Sequence, residues 1–360
     1  MKIGILTFHR AHNYGAVLQC YSLQEALKAM GHDAQVIDYR QPHIERVYKP
    51  IVWRSWLGTA AHMHMKKAWN ALKKYSPRKT RMRRIFEAFC DKYLLCTAPC
   101  DGTHIPWDFD AYVIGSDQLW NKLCTGGKLD SVYAADFRRR QESRVIGYAI
   151  GASMGTLETM GDKLPKIISR FSAFSVREEI ISKVIGCMTG NPRPRVCCDP
   201  ALLNDETFWS KITNEKYKNR EYVLVYEVRR PFRLQAKAAS LAQELGCEVV
   251  DANDAQFSVE DFVSLFKYAR YVLTSSFHGT AFSLIFGRPF YSFKLYDGWD
   301  ARYVNILHAV NADHCCVDLD FTPDPDRESL EPDVIRTLNV YRQASLQFLQ
   351  EATAAPSSPG

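Results

Sequence analysis

The sequence predicts an α/β protein made of two doubly wound halves. Three observations carry this expectation. The chain has 360 residues, more than one ordinary core holds. Short apolar, β-branched runs alternate with amphipathic stretches in two separate series. Between the two series stands "GNPRPR", residues 190–195, with the glycine and proline content of a linker.

The first series opens with "KIGILTF" as a strand, and "YGAVLQCYSLQEALKAMG" follows as a helix stopped by Gly31. Within that helix Ala16, Cys20, Leu23, Leu27 and Met30 recur at spacings of four and three, so they share one apolar stripe. "DAQVIDY" returns as a second strand, which makes residues 2–39 a β-α-β unit with a parallel pair. A basic segment comes next, read as one or two amphipathic helices around Lys66–Tyr75 and Thr80–Leu95. "AYVIG", "RVIGYAI" and "AFSVRE" then form short strands, each followed by a polar or glycine-bearing turn. Past the linker the alternation restarts with "EYVLVYEV", a helix over 233–245, "CEVVDA", and a helix over 259–269. "YVLTSS", a helix over 277–286 and "PFYSF" complete it. The expected divisions are 1–190, with a helical insertion at about 40–95, then 191–351, and a disordered tail at 352–360 whose "ATAAPSSPG" is small, polar and proline-bearing.

Composition narrows the class. At 46% hydrophobic and 24% charged residues the chain is that of a soluble globular protein. No run reaches the apolar length that spans a bilayer, and the N-terminus lacks the features of a signal peptide. Eleven scattered cysteines, an odd number, then read as reduced thiols in a cytoplasm. Cys90, Cys96 and Cys100 cluster without a two-residue zinc spacing, so no metal site is expected. The net charge of +6 is uneven: residues 40–93 hold 14 Lys and Arg against 3 Asp and Glu, while the rest of the chain is net acidic. A local patch of that kind argues against nucleic acid as a partner. Interleaved with Trp53, Trp56, Trp69 and Tyr75, it suits peripheral contact with an anionic membrane face, with a solvated helical hairpin as the plainer reading.

In open α/β sheets ligands bind beyond the carboxyl ends of strands, so the residues after each strand are the candidates. After the first strand, Asn13 suits a helix cap and Gly15 allows close approach of a backbone, with His9, Arg10 and His12 adding positive charge. After "AYVI", Gly115 and Ser116 offer donors, and Asp117 is a base or an acceptor for sugar hydroxyls, or else a cap. After "AFSV", Arg177 suits bidentate grip of a carboxylate or phosphate, or a salt bridge to Glu178 or Glu179. Asp199 and Pro200 read as a structural turn. In "TSSFHGTAFSLIFGRPF", Ser276 caps a helix whose first turn holds His278 and Gly279, where free N–H groups and the helix dipole favour an anion.

None of these motifs is specific alone, but their order is. Over residues 1–345 the chain resembles the polysaccharide pyruvyl transferase family, on "HNYGAVLQCYSLQ", "VIGSDQLWN", "FSVRE", "CDPALL" and "SSFHGTAFSLIFGRPF" in that sequence. The resemblance implies two Rossmann-like domains facing across a cleft, GT-B-like. It also implies transfer of a pyruvyl group from phosphoenolpyruvate to a sugar of a surface or capsular polysaccharide, as a ketal. Phosphoenolpyruvate is then a co-substrate, with no cofactor, and the sugar acceptor is lipid-linked, nucleotide-linked or chain-linked. The family's donor-binding and catalytic histidine and arginine fall on His278 and Arg177, with Ser276 and Gly279 beside them at the donor. Asp117 is assigned to catalysis, and Asn13, Gly15 and Ser116 to the acceptor. One position departs: where better-known members carry an arginine two residues before the histidine, this chain has Ser276. Either Arg10, Lys294 or Arg302 supplies that charge, or the donor differs. The competing functions are a GT-B glycosyltransferase using a nucleotide sugar and a non-catalytic protein that binds an anionic surface. The expected location is the cytoplasm, peripherally at the inner membrane.

Overall fold

A computed structural model describes residues 1–48, 65–228, 233–254, 256–296 and 298–354, with 65–76 described as backbone only. The first sheet has six parallel strands: β1 (Lys2–Leu6), β2 (Asp33–Val36), β3 (Ala111–Ile114), β4 (Arg144–Ile150), β5 (Ala173–Val176) and β6 (Arg195–Val196). Their spatial order is β2-β1-β3-β4-β5-β6. The second sheet is also parallel and has five strands: β7 (Tyr222–Tyr226), β8 (Glu248–Asp251), β9 (Tyr271–Thr274), β10 (Phe290–Phe293) and β11 (Cys316–Val317), in the order β11-β10-β9-β7-β8. Both are doubly wound α/β sheets, so the chain is two Rossmann-like domains facing across a cleft.

The strand order fixes where ligands go. It reverses direction between β1 and β3 in the first sheet and between β7 and β9 in the second. At such a switch point the following helices leave on opposite faces and open a crevice at the strands' carboxyl ends. The segments after β1 and β3 run from Thr7 to Asn13 and from Gly115 onward. Those after β7 and β9 begin at Glu227 and Ser275.

The helices follow from their caps and apolar faces. They are α1 (Tyr14–Ala29), α2 (Pro42–Tyr48), α3 (Met65–Tyr93), α4 (Met154–Met160), α5 (Leu164–Ile168), α6 (Glu179–Thr189) and α7 (Glu206–Ser210). Then come α8 (Gln235–Leu245), α9 (Val259–Tyr268), α10 (Phe277–Ile285), α11 (Ala301–Ala309) and α12 (Pro332–Thr353). Asn13 caps α1, accepting from the Ala16 N–H, and thirteen of the helix's residues are buried. Ser258 and Asp261 close a capping box on α9, and Gly246 ends α8 in the left-handed conformation. One apolar core runs from Val17 and Leu18 of α1 through Ala201 and Leu202 to Phe262 of α9 and Phe282 of α10, so the two domains share buried surface. Tyr14 pins that seam: its ring stacks on Phe262 at 4.3 Å and its hydroxyl donates to the Phe257 carbonyl at 2.8 Å.

The basic segment forms one helix, Met65–Tyr93, the first of the two readings, and it continues through Pro77. Its proline removes one backbone donor without ending the helix. Three other expectations change. The linker-like stretch leads into β6, which pairs with β5, so the first sheet ends at Val196 and not at residue 190. The helix expected from residue 233 begins at Gln235. The last helix runs through Thr353, whose buried hydroxyl meets His32 Nε2 at 3.0 Å, so order extends past 352. Residues 355–360 of the expected tail lie outside the described residues, as do Trp53 and Trp56 and the side chains of Trp69 and Tyr75. Among the described residues no helix is long and apolar enough to cross a membrane.

Candidate active site

Asp199 is the hub of the site. It follows β6 and begins the turn Pro200–Leu202, accepting from the Ala201 N–H at 3.0 Å on Oδ1. Its Oδ2 accepts from Arg177 Nη1 at 2.8 Å and lies 3.4 Å from Ser116 Oγ. Its Oδ1 is 3.9 Å from His278 Nε2. One carboxylate, 1% exposed, thus gathers a residue from the end of β3, one from the end of β5 and one from the second domain. Sequence reasoning passed over it, because an Asp-Pro pair after a short strand is what a plain turn also uses. The available signal was position: Asp199 follows a strand end, like every other candidate.

Arg177 leaves the end of β5 with its guanidinium 3% exposed. Nε donates to Glu178 Oε1 at 3.0 Å and Nη1 to Asp199, while Asp117 Oδ1 stands 4.0 Å from Nη1. The guanidinium lies over the Phe277 ring at 4.8 Å, and its Nη2 is buried with no acceptor. The salt bridge to Glu178, offered as the plainer reading, is therefore present, and one donor is still unused. A buried guanidinium with an idle N–H is a costly arrangement unless an acceptor arrives.

His278 is the second residue of α10 and is 7% exposed. Its Nε2 is buried without a hydrogen-bond partner, the Asp199 carboxylate being just beyond bonding distance. Burial pushes the imidazole below its ordinary value, against the pull of Asp199 and Asp117. The ring reaches across the domain seam onto α1. A Cβ on Gly15 would stand 1.9 Å from His278 Nδ1. The histidine alone thus accounts for a glycine at position 15.

Three more of the expected site residues have structural partners of their own. Ser116 is fully buried and donates to the Ala149 carbonyl at 2.8 Å, so its hydroxyl does not face the cleft. Ser276 Oγ accepts from the Gly279 N–H at 3.5 Å, as a helix cap. Gly279 is needed for packing: a Cβ there would lie 2.1 Å from Thr274 Oγ1. These two groups face each other, and the first-turn amides of Phe277 and His278 remain as the N-terminal donors of α10.

Asn13 and Asp117 do reach the open cleft, a volume of about 370 Å³ that Val228, Trp299 and Arg302 close from the second domain. Asp117 has φ 66°, in the left-handed region, and starts no helix. Its Oδ1 accepts from the Gln118 N–H at 2.8 Å, and its side chain is 17% exposed. Of the cations named as substitutes at Ser276, Arg10 is held by Asp38 at 2.8 and 2.6 Å and Lys294 faces Asp318 at 3.7 Å. Arg302 lies in the cleft wall, its guanidinium over the Trp299 ring at 4.9 Å. Among the described residues no cluster of His, Cys, Asp and Glu is arranged to hold a metal ion.

Fold and site together define a two-domain, GT-B-like α/β protein whose buried Arg-Asp-His cluster adjoins an interdomain cleft. The chain belongs to the polysaccharide pyruvyl transferase family, a family of transferases, whose model matches residues 13–295. No curated protein matches the chain significantly. Among solved structures it is similar to a UDP-N-acetylglucosamine 2-epimerase at 11% identity and a TM-score of 0.48, covering 100% of both chains. A putative enzyme of that name from Listeria monocytogenes gives 11% identity and a TM-score of 0.47 over 98% of this chain and 90% of that one. The Neisseria meningitidis enzyme bound to UDP-GlcNAc gives 10% and 0.45 over 99% and 95%.

Proposed function

We propose that this protein moves the pyruvyl group of phosphoenolpyruvate onto a sugar as a ketal, during synthesis of a surface or capsular polysaccharide. The observation that carries the reading is His278 Nε2: buried, unpartnered, on the first turn of a helix and beside a carboxylate that also holds Arg177. Such a ring is poised for proton transfer at an anion.

The reaction needs a proton on the donor's methylene carbon, which becomes a methyl group. The neighbouring carbon, now electrophilic, bonds to two sugar oxygens, and its bond to the phosphate oxygen breaks. Of the two hydroxyl protons released, one balances the new methyl group and the other leaves on phosphate. His278 delivers the proton or steadies the departing phosphate, with the nearby Asp199 favouring the imidazolium. Arg177 Nη2 and the α10 amides take the donor's charge, and Arg302 stands where a further cation can reach it. Asp117, with Asn13 on the same cleft wall, orients or deprotonates the acceptor hydroxyl.

The test is phosphoenolpyruvate binding with single-turnover rates on folded variants. His278→Gln should lose about a hundredfold or more in turnover while still binding donor. Asp117→Asn should lose turnover with donor binding nearly intact. Stabilisation by a nucleotide sugar and not by phosphoenolpyruvate would instead favour a glycosyltransferase.

A further inference from the structure

A second cavity, of about 490 Å³, opens beside the cleft on the first domain and takes no part in the reaction above. Four guanidiniums line it, from Arg10, Arg40, Arg46 and Arg83, against the carboxylates of Glu45 and Glu87. Asp38 lies underneath, 1% exposed, and holds Arg10, Arg40 and His9 in place, at 2.8 Å for Arg40 and 2.9 Å for His9. Counting Asp38, one positive charge is left over before His9 and His12 are considered. Arg40 Nε is buried with no acceptor. A concave surface with several fixed guanidiniums and an unused donor is built to take a multiply charged oxyanion.

This cavity and the cleft are neighbours. Both are lined by Ile44 and Tyr48 of α2. His43 of the same helix faces the cleft and Arg46 the basic cavity, with Arg46 Nη2 3.0 Å from His43 Nδ1. The β1–α1 loop is divided in the same way, Arg10 and His12 lining one side and Asn13 the other. The His12 ring packs on Tyr48 at 4.7 Å between them. A ligand with its sugar at Asn13 and Asp117 has its anionic linkage next to the arginines.

We infer that the Arg10–Arg40–Arg46–Arg83 cavity is a diphosphate subsite and that the acceptor is a sugar carried on a diphosphate. This rests on the cleft being the acceptor site of a pyruvyl transferase. Either a nucleoside diphosphate or an isoprenoid diphosphate presents the same two phosphates.

The probe is inorganic pyrophosphate, titrated calorimetrically into the full chain with saturating phosphoenolpyruvate present. Arg46 and Arg83 are exposed, so the double variant Arg46→Gln/Arg83→Gln should fold. Wild type should bind saturably, and the double variant at least tenfold more weakly, with its phosphoenolpyruvate affinity unchanged. Equal pyrophosphate affinity in the two proteins overturns the inference. So does loss of the pyrophosphate signal when phosphoenolpyruvate is added, or a parallel fall in phosphoenolpyruvate affinity, because the cavity would then hold the donor. Uridine diphosphate and farnesyl diphosphate are next used as competitors, and the stronger one identifies the carrier. Displacement by neither counts against the subsite. Arginine-dependent pyrophosphate binding without any pyruvyl transfer would uphold the subsite and reject the enzyme reading.

Discussion

Gly15 and His278 meet across the domain seam, the imidazole occupying the space a side chain at residue 15 would need. The first turn of α1 and the first turn of α10 are thereby in direct contact. One belongs to the domain proposed to face the acceptor and the other carries the proposed proton donor.

Gly15→Ala should therefore act on His278. The added methyl overlaps the ring, and overpacking of this kind costs about 1–3 kcal/mol. The expected result is a folded protein with a lower Tm and turnover reduced tenfold or more. Adding His278→Ala should restore the Tm without restoring turnover. Thermal melts and single-turnover rates of the two variants decide it, and a wild-type rate in Gly15→Ala contradicts the arrangement.

His278 also sets a proton-linkage prediction. Burial depresses its value in the free protein, with Asp199 and Asp117 opposing. Above the ordinary histidine value of about 6.5 the ring is neutral in both folded and unfolded chains, so it has no effect there. As pH falls through that value the unfolded chain takes the proton first and stability declines, until the lower folded value is passed. A bound donor anion raises that folded value. Phosphoenolpyruvate binding near neutral pH should thus take up a proton, seen as a dependence of the calorimetric enthalpy on the buffer. His278→Gln should abolish the uptake and flatten part of the acid limb; an undiminished uptake rules His278 out as its source.

Asp199→Asn removes the charge that holds Arg177 and faces His278, while keeping the shape. Breaking one side of a buried ion pair costs about 3–5 kcal/mol. Urea unfolding should show a loss of that order. A change below about 1 kcal/mol would mean that Glu178 alone satisfies the guanidinium.

Arg302→Ala tests which cation serves in place of the family arginine at Ser276. One charge-assisted hydrogen bond is worth about 1.5–3 kcal/mol, so donor affinity should fall about tenfold or more. Unchanged phosphoenolpyruvate affinity removes Arg302 from the donor site.

The basic stretch 40–93 is proposed to contact an anionic membrane face. Sedimentation with anionic and neutral liposomes at low salt should show a preference for the anionic vesicles that fades as salt is raised. Equal pelleting with both kinds ends that idea.

The sequence made the architecture legible because parallel strands buried on both faces read as short apolar runs, and each was found within a few residues. Candidate residues at strand ends followed from the same reasoning, and in position Asn13 and Asp117 line the cleft while Arg177 and His278 converge on Asp199. What stayed hidden was partnership. Gly15, Ser116 and Gly279 stand beside functional positions for packing reasons, and spacing along the chain does not reveal which neighbour a small residue must admit. Asp199 was concealed in the opposite way, since its role depends on three residues that lie far from it in sequence. The arginine cavity was obscured because its members come from three separate segments.

The last helix has a mechanical consequence. It starts near Gly287, where an added Cβ would lie 3.9 Å from the Ile335 side chain, and finishes on the first domain. There Ser345 receives the Cys198 amide, Glu351 meets Arg195 and the Ala352 carbonyl accepts from Arg144. The polypeptide consequently passes between the domains twice, once outward after β6 and once on the return. Two straps of this sort resist sliding and twisting far more than swinging about the line that joins them. Both crossings lie beside Asp199, so a swing about them would pivot close to the proposed chemistry and carry the arginine cavity with the first domain.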